Sequence, residues 1–121
     1  SEMVKGNPIK VYYEGKFIRD YIYVDDVCKG INLAMDAPAN EIYNISNGEP
    51  LRFIDLIRYC ADKIGYNQNM IEFIDGTDFH KLVQVKSMYL DNQKIKKLGY
   101  KPSLSIWQTL DKLVDYYLHG G

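Results

Sequence analysis

Two tyrosine–lysine pairs carry the spacing of a proton-transfer dyad, Tyr12 with Lys16 and Tyr59 with Lys63. On a helix that spacing stacks a phenol near an ammonium, which favours the phenolate and makes a proton donor and acceptor. The first pair runs through the end of an extended segment and across Gly15, so its side chains diverge. The second lies on a helix with the right geometry, but no phosphate-binding loop precedes it, and it reads as a solvated face. His80 and His119 are the only histidines, and neither belongs to a ligand set with metal spacing. No motif constrains a Ser–His–Asp triad. There is no Gly-x-Gly-x-x-Gly, Gly-x-x-Gly-x-x-Gly or Gly-Lys-Ser/Thr loop, and so no recognisable diphosphate cradle at a helix N-terminus. The residues of this chain thus offer no catalytic, cofactor-binding or metal site.

Charge and composition narrow the classes further. The formal net charge is −1 over 121 residues, which gives no overall field for nucleic acid or an anionic membrane. No apolar run approaches the roughly 20 residues that span a bilayer, and no basic-then-apolar signal segment opens the chain. Cys28 and Cys60 fit no metal or redox spacing. Both fall on apolar stripes and read as buried, reduced thiols, which makes a cytoplasmic location the expectation. One local bias stands out. Between His80 and Lys101 lie six lysines and a single acid, Asp91. That segment is either a solvated surface or a place for an anionic ligand, and Lys81, beside an extended stretch, is the lysine of most interest. The Asn44-Ile45-Ser46 glycosylation pattern falls in an expected strand and reads as chance.

The elements that must position these residues follow from periodicity. Ser1 to Gly6 reads as the last turn of a helix, with Gly6 as its stop and Pro8 beyond. Ile9–Tyr13 and Phe17–Val24 are expected strands, rich in β-branched and aromatic residues. Val24, Val27, Cys28, Ile31, Ala34 and Met35 form one face of an amphipathic helix, with Asp25 and Asp26 suited to its start. Glu41–Ile45 is an expected strand and Asn47–Pro50 a turn. Phe53, Leu56, Ile57, Cys60, Ala61 and Ile64 make a second helical stripe closed by Gly65. Met70–Ile74 is an expected strand, Asp75–Lys81 a loop and Val83–Leu90 extended. A short helix over Asp91–Leu98 and a last helix capped by Ser103 or Ser105 complete the chain. Short strands alternating with about four helices give a mixed α/β class, α+β in detail.

Four stretches, in order, resemble one family. Gly6-Asn7-Pro8-Ile9-Lys10-Val11-Tyr12 is similar to its Gly-x-Pro strand. Arg19-Asp20-Tyr21-Ile22-Tyr23-Val24-Asp25-Asp26 resembles its Arg-Asp-aromatic-hydrophobic-aromatic-Val-x-Asp motif. Tyr43-Asn44-Ile45-Ser46-Asn47-Gly48 resembles its Tyr-Asn strand and turn. Leu90-Asp91-Asn92-Gln93-Lys94, followed by Leu98-Gly99-Tyr100-Lys101-Pro102, resembles its Asp-x-(Ser)-Lys…Leu-Gly-(Tyr/Trp)-x-Pro segment. The family is that of the extended short-chain dehydrogenase/reductases, which includes UDP-glucose 4-epimerase and dTDP-glucose 4,6-dehydratase.

The resemblance implies that residues 1–121 are the C-terminal, nucleotide-sugar-binding region of such an enzyme. It also implies that the N-terminal Rossmann domain, with its NAD or NADP and its catalytic Tyr-x-x-x-Lys, is absent from this chain. The chain alone is then expected to be catalytically inert. The implied partner is a nucleoside diphosphate-sugar. Arg19 matches an arginine on the diphosphate, a role suited to its planar fork of donors. Lys10 and Tyr12 match a strand whose backbone touches the base. Lys81 stands where many members carry a second phosphate-binding arginine, so charge is kept and the fork is lost; Gln84 replaces the Asp that often follows. Arg52 stands where the family often has Ser or Thr. Apolar surface meant for the Rossmann sheet would be left open, so a homodimer or self-association is expected. The alternatives are a stand-alone binding or interaction module that kept the fold, or an obligate partner of a separate Rossmann subunit.

Overall fold

The computed structural model describes residues 1–120. Five short strands and five helices follow one another along the chain. They are β1 (Ile9–Tyr12), β2 (Ile18–Asp20), α1 (Val24–Met35), β3 (Pro50–Arg52), α2 (Phe53–Ile64), β4 (Ile71–Ile74), α3 (Asp78–Val83), β5 (Ser87–Met88), α4 (Gln93–Lys96) and α5 (Ile106–His119). The strands form two small sheets. In one, β1 and β4 run parallel, with Ile9 opposite Ile71 and Tyr12 opposite Ile74. In the other, β2 is central, antiparallel to β3 and parallel to β5. The mixed α/β class holds, with one helix more than expected.

Two apolar clusters carry the packing. Val11, Ala61, Tyr66 and Ile71 join the first sheet to α2. Leu56, Ile106 and Leu110 join α2 to α5, with Tyr59 and Trp107 rings 4.9 Å apart at the edge. The alternation on β1 buries Val11 and leaves Lys10 and Tyr12 exposed on the opposite face. A tight loop over residues 13–15 connects β1 to β2. Gly15, at φ +63°, sits so close to α2 that a Cβ would lie 2.8 Å from that of Ile54, so the turn needs glycine both for its backbone and for the approach.

Several expectations change. Glu41–Ile45 is not a strand, because among the described residues no partner strand runs beside it; its side chains are fixed from elsewhere. The extended Phe17–Val24 stretch keeps ladder bonds only over Ile18–Asp20, and Tyr23 caps α1. Pro50, expected as the end of a turn, instead opens β3, which pairs with β2. The expected loop over Asp75–Lys81 contains the start of α3, where the Thr77 side chain accepts from the His80 amide and caps the turn. Of the extended Val83–Leu90 stretch, only Ser87–Met88 is strand, since Val83 belongs to α3. Cys28 is exposed and Cys60 only partly covered, so neither is the fully buried thiol expected.

Helix α1 departs most from its pattern. Asp26 and Gly30 are its buried residues, while Val24, Cys28, Ile31 and Met35 lie exposed along one stripe. Gly30 lets Ile45 approach; a Cβ there would meet Ile45 Cγ2 at 2.7 Å. Among the described residues no helix is long and apolar enough to cross a membrane.

Candidate functional site

The Arg19 side chain leaves β2 towards the chain that leads into β5. Its Nη2 donates to the Val85 carbonyl at 2.6 Å, and Nη1 donates to the carbonyls of Ile18 at 2.7 Å and Lys86 at 3.5 Å. The guanidinium also lies 5.8 Å from the centre of the Phe17 ring. Arg19 therefore braces residues 85–86. Its fork has five N–H donors, and some remain for a ligand.

Tyr12 reaches the start of the same segment. Its ring stacks on that of His80, 4.9 Å between centroids and 26° between planes. Lys81, the next residue, is exposed on α3 and makes one ion pair, with Asp78 at 3.6 Å. Residues 80–86 are thus held by Tyr12 at one end and Arg19 at the other, and Lys81 lies between the two points. Lys10 stands apart. It edges a groove of about 360 Å³ lined by Met3, Ile9, Phe53, Ile57 and Tyr117. That lining is nearly all apolar and does not suit a diphosphate.

Residues not singled out in the sequence hold this arrangement. The Asp20 carboxylate accepts the successive amides of Asn47 and Gly48, both at 3.0 Å. Ser46 is buried; its carbonyl accepts from Asn92 Nδ2 at 3.0 Å and from the Tyr100 hydroxyl at 3.2 Å. Asn44 donates to the Asp91 carbonyl at 2.9 Å rather than to the turn that follows it. Lys94 pairs with Glu41 and lies 4.9 Å from the centre of the Tyr43 ring. The polar residues of three of the four sequence stretches are therefore bonded to one another. The expected strand at 41–45 is positioned by these side-chain bonds instead of a ladder.

Asp26 does not cap α1. It is fully buried, and its carboxylate accepts the Ser103 amide at 2.9 Å and the Ser103 hydroxyl at 2.5 Å, with Lys29 at 3.2 Å. Burial alone would raise its pKa, but the hydrogen bonds from Ser103, Lys29 and the Leu104 amide outweigh this and hold it below the usual carboxylate value. Ser105, not Ser103, caps α5, in a reciprocal box with Gln108.

Tyr59 and Lys63 do have dyad geometry. The ammonium lies 5.3 Å from the ring centre. Their charge environment opposes catalysis, however. The Tyr59 hydroxyl donates to Asp111 at 2.8 Å, and Lys63 pairs with Asp111 at 3.0 Å. The bond to Asp111 pushes the phenol's pKa up, where a general base needs it lowered. The pair is a bracket between α2 and α5 and not the free surface expected.

A dinucleotide does not fit the strand–helix junctions of this chain. The first turns of α1 and α2 carry Asp25, Asp26 and Asp55. Arg52, at the cap of α2, is spent on Asp55 through two bonds of 2.9 and 3.0 Å. Carboxylates at these N-termini repel a diphosphate where a dinucleotide fold would attract it. Among the described residues no cluster of His, Cys, Asp or Glu is arranged to hold a metal ion.

Comparison with known proteins agrees with the architecture. Residues 1–46 match the model of the NAD dependent epimerase/dehydratase family. The chain is 30% identical over 114 residues to a low-salt glycan biosynthesis protein of Haloferax volcanii, covering 93% of this chain and 36% of that protein. It is 29% identical to a dTDP-glucose 4,6-dehydratase of an Actinoplanes species, covering 97% of this chain and 36% of the relative. Among solved structures, the UDP-glucose 4-epimerase of Thermotoga maritima with UDP-glucose superposes with a TM-score of 0.85 at 29% identity, over 96% of this chain and 36% of that one. The chain thus spans about a third of the length of the proteins it matches. The four sequence stretches, the interlocked geometry of their residues and these findings agree: in sequence and fold the chain is similar to the NAD-dependent epimerases and dehydratases of the extended short-chain dehydrogenase/reductase family.

Proposed function

We propose that this chain is the C-terminal, nucleotide-sugar-binding part of an NAD(P)-dependent nucleotide-sugar epimerase or dehydratase. Its task is to grip the nucleoside diphosphate and so orient the sugar. The observation that carries the reading is the convergence of Tyr12 and Arg19 on residues 80–86, with Lys81 between them. A guanidinium and an ammonium at the two ends of one braced segment offer charges for two phosphates. Arg19 contributes the fixed fork and Lys81 a mobile point charge, while the strand at Lys10 and Tyr12 contributes backbone groups. Its relatives are described as acting on or binding UDP- and dTDP-sugars, which supports the same ligand class here.

In this reading NAD(P) supplies hydride transfer at a sugar carbon, and residues outside this chain hold it. Such a division leaves the chain without turnover of its own. It also leaves α1 with an open stripe of Val24, Cys28, Ile31 and Met35, suited to burial against a further element or a second copy. The two free thiols accord with a cytoplasmic protein.

Calorimetric titration of the 121-residue chain with UDP, dTDP, GDP and CDP tests the reading. One pyrimidine or purine diphosphate should bind with the others weaker. Failure of all four to bind at millimolar concentration would remove the nucleotide assignment. Turnover of a nucleotide sugar by this chain with added NAD would overturn its inertness.

A further inference from the structure

Helix α3 is the least anchored helix of the fold. Asp78, Phe79, Lys81, Leu82 and Val83 are all exposed, and His80 alone among its residues is partly covered. Phe79 and Leu82 expose 68% and 85% of their surface, so the helix does not stand on an apolar face. A helix this short is not stable by itself and depends on what holds it. What covers His80 is the Tyr12 ring, stacked at 4.9 Å. The imidazole is further fixed by its Nδ1, 2.7 Å from the Thr77 hydroxyl that caps the same turn. Immediately before the cap, Gly76 leaves no room for a Cβ, which would collide with the Tyr13 hydroxyl and lie 2.9 Å from His80 Cβ. Tyr13 itself holds φ +52° and Glu14 φ +54°, so the chain that brings Tyr12 and Tyr13 to this turn is itself constrained.

We propose that His80 is a positioning residue for the diphosphate: by stacking on Tyr12 it holds α3 against β1 and so fixes Lys81 beside the segment that Arg19 braces. The proposal rests on the nucleotide reading above. Lys81 is suited to the part, because its pair with Asp78 is exposed, long and therefore weak, and gives way to a phosphate oxygen. Tyr12 then acts twice: one edge of β1 meets the ligand, and its ring secures the helix that carries the cation. The stack couples two contacts that lie far apart in sequence, so loss of His80 acts on the ligand through Lys81.

The test uses the full chain, the variants His80→Ala, His80→Phe and Lys81→Ala, the double variant His80→Ala/Lys81→Ala, and UDP as probe. Without ligand, exchange of the Lys81 amide, which bonds the Thr77 carbonyl at 2.9 Å, reports whether α3 is tethered. His80→Ala should speed that exchange about tenfold, the size expected for a lost aromatic pair. His80→Phe keeps the stack and should hold the wild-type rate within about twofold. In UDP titrations His80→Ala should lose about three- to tenfold in affinity, and His80→Phe should restore it. The double variant should bind no more weakly than Lys81→Ala, because the two residues act through one contact. Unchanged exchange in His80→Ala overturns the tether. Additive losses, or a Phe variant as weak as the Ala variant, show that the imidazole acts on the ligand directly and overturn the positioning role. If the wild-type chain binds no UDP, the nucleotide reading falls and the positioning role with it, while the exchange rates still decide whether His80 tethers α3.

Discussion

Asp26 commits its carboxylate to the Ser103 amide and hydroxyl, which lie beyond α4 and just before α5. A buried charge satisfied in this way is costly to leave half-made. Asp26→Ala should therefore lower unfolding free energy by about 2–3 kcal/mol, read from urea transitions at neutral pH. The sign of its pH dependence follows from the lowered pKa in the fold. The contribution is complete above the ordinary carboxylate range and is lost as pH falls through the depressed folded value. Wild-type stability should thus drop on acidification more steeply than that of Asp26→Asn, measured as midpoint against pH. Arg19 has a double duty, since it bonds the Val85 and Lys86 carbonyls as well as serving as the proposed phosphate contact. Arg19→Ala should weaken UDP binding by about tenfold or more, the scale of a charge-assisted bond. Arg19→Lys should recover only part of it, because an ammonium cannot span two oxygens in the plane. Equal affinity in wild type and Arg19→Ala, by calorimetry, would strike Arg19 from the site.

At the scale of elements, the turn between β1 and β2 is the joint on which the site depends. It carries Tyr12 at one end and leads to Arg19 at the other, and Gly15 fits it against the first turn of α2. Gly15→Ala combines a positive φ with a clash against backbone and should cost about 1–3 kcal/mol, visible as a lower urea midpoint with unchanged slope. Helices α2 and α5 were legible because their stripes meet within the chain and form its cores, through Leu56, Ala61, Ile106 and Leu110. Helix α3 was not legible. Its apolar residues Phe79, Leu82 and Val83 stay exposed in the fold, and what decides it is a Thr77 cap and a ring stack with a residue far away. The 41–45 stretch failed as a strand for the complementary reason. Its composition suits a strand, but pairing is a property of two segments, and among the described residues no partner strand runs beside it.

At the scale of the whole molecule, exposed apolar surface is the leading feature. Beyond the α1 stripe, Leu113, Tyr116, Tyr117 and Leu118 are exposed towards the end of α5. Surface of this kind, gathered in patches, drives association in water. Light scattering on the 121-residue chain should therefore give a mass above one chain that rises with concentration, and Ile31→Lys with Met35→Lys should lower it. A concentration-independent monomer would contradict this.

The class, the resemblance to one family and the two helices that form the cores are already legible in the residues, because those depend on periodicity and on short ordered stretches of residue types. The sequence also marked Arg19, Tyr12 and Lys81 as candidates, on the strength of the resemblance. What these residues do to one another is set by contacts across the fold. The fold joined Tyr12 to His80 and Arg19 to residues 85–86, moved Asp26 from cap to bracket, and turned the Tyr59–Lys63 dyad into a structural pair through Asp111. The physical reason is common to all four. A side chain's role is set by the partner that desolvates or charges it, and in each case that partner lies on an element, or at the far end of one, that no local pattern connects to it.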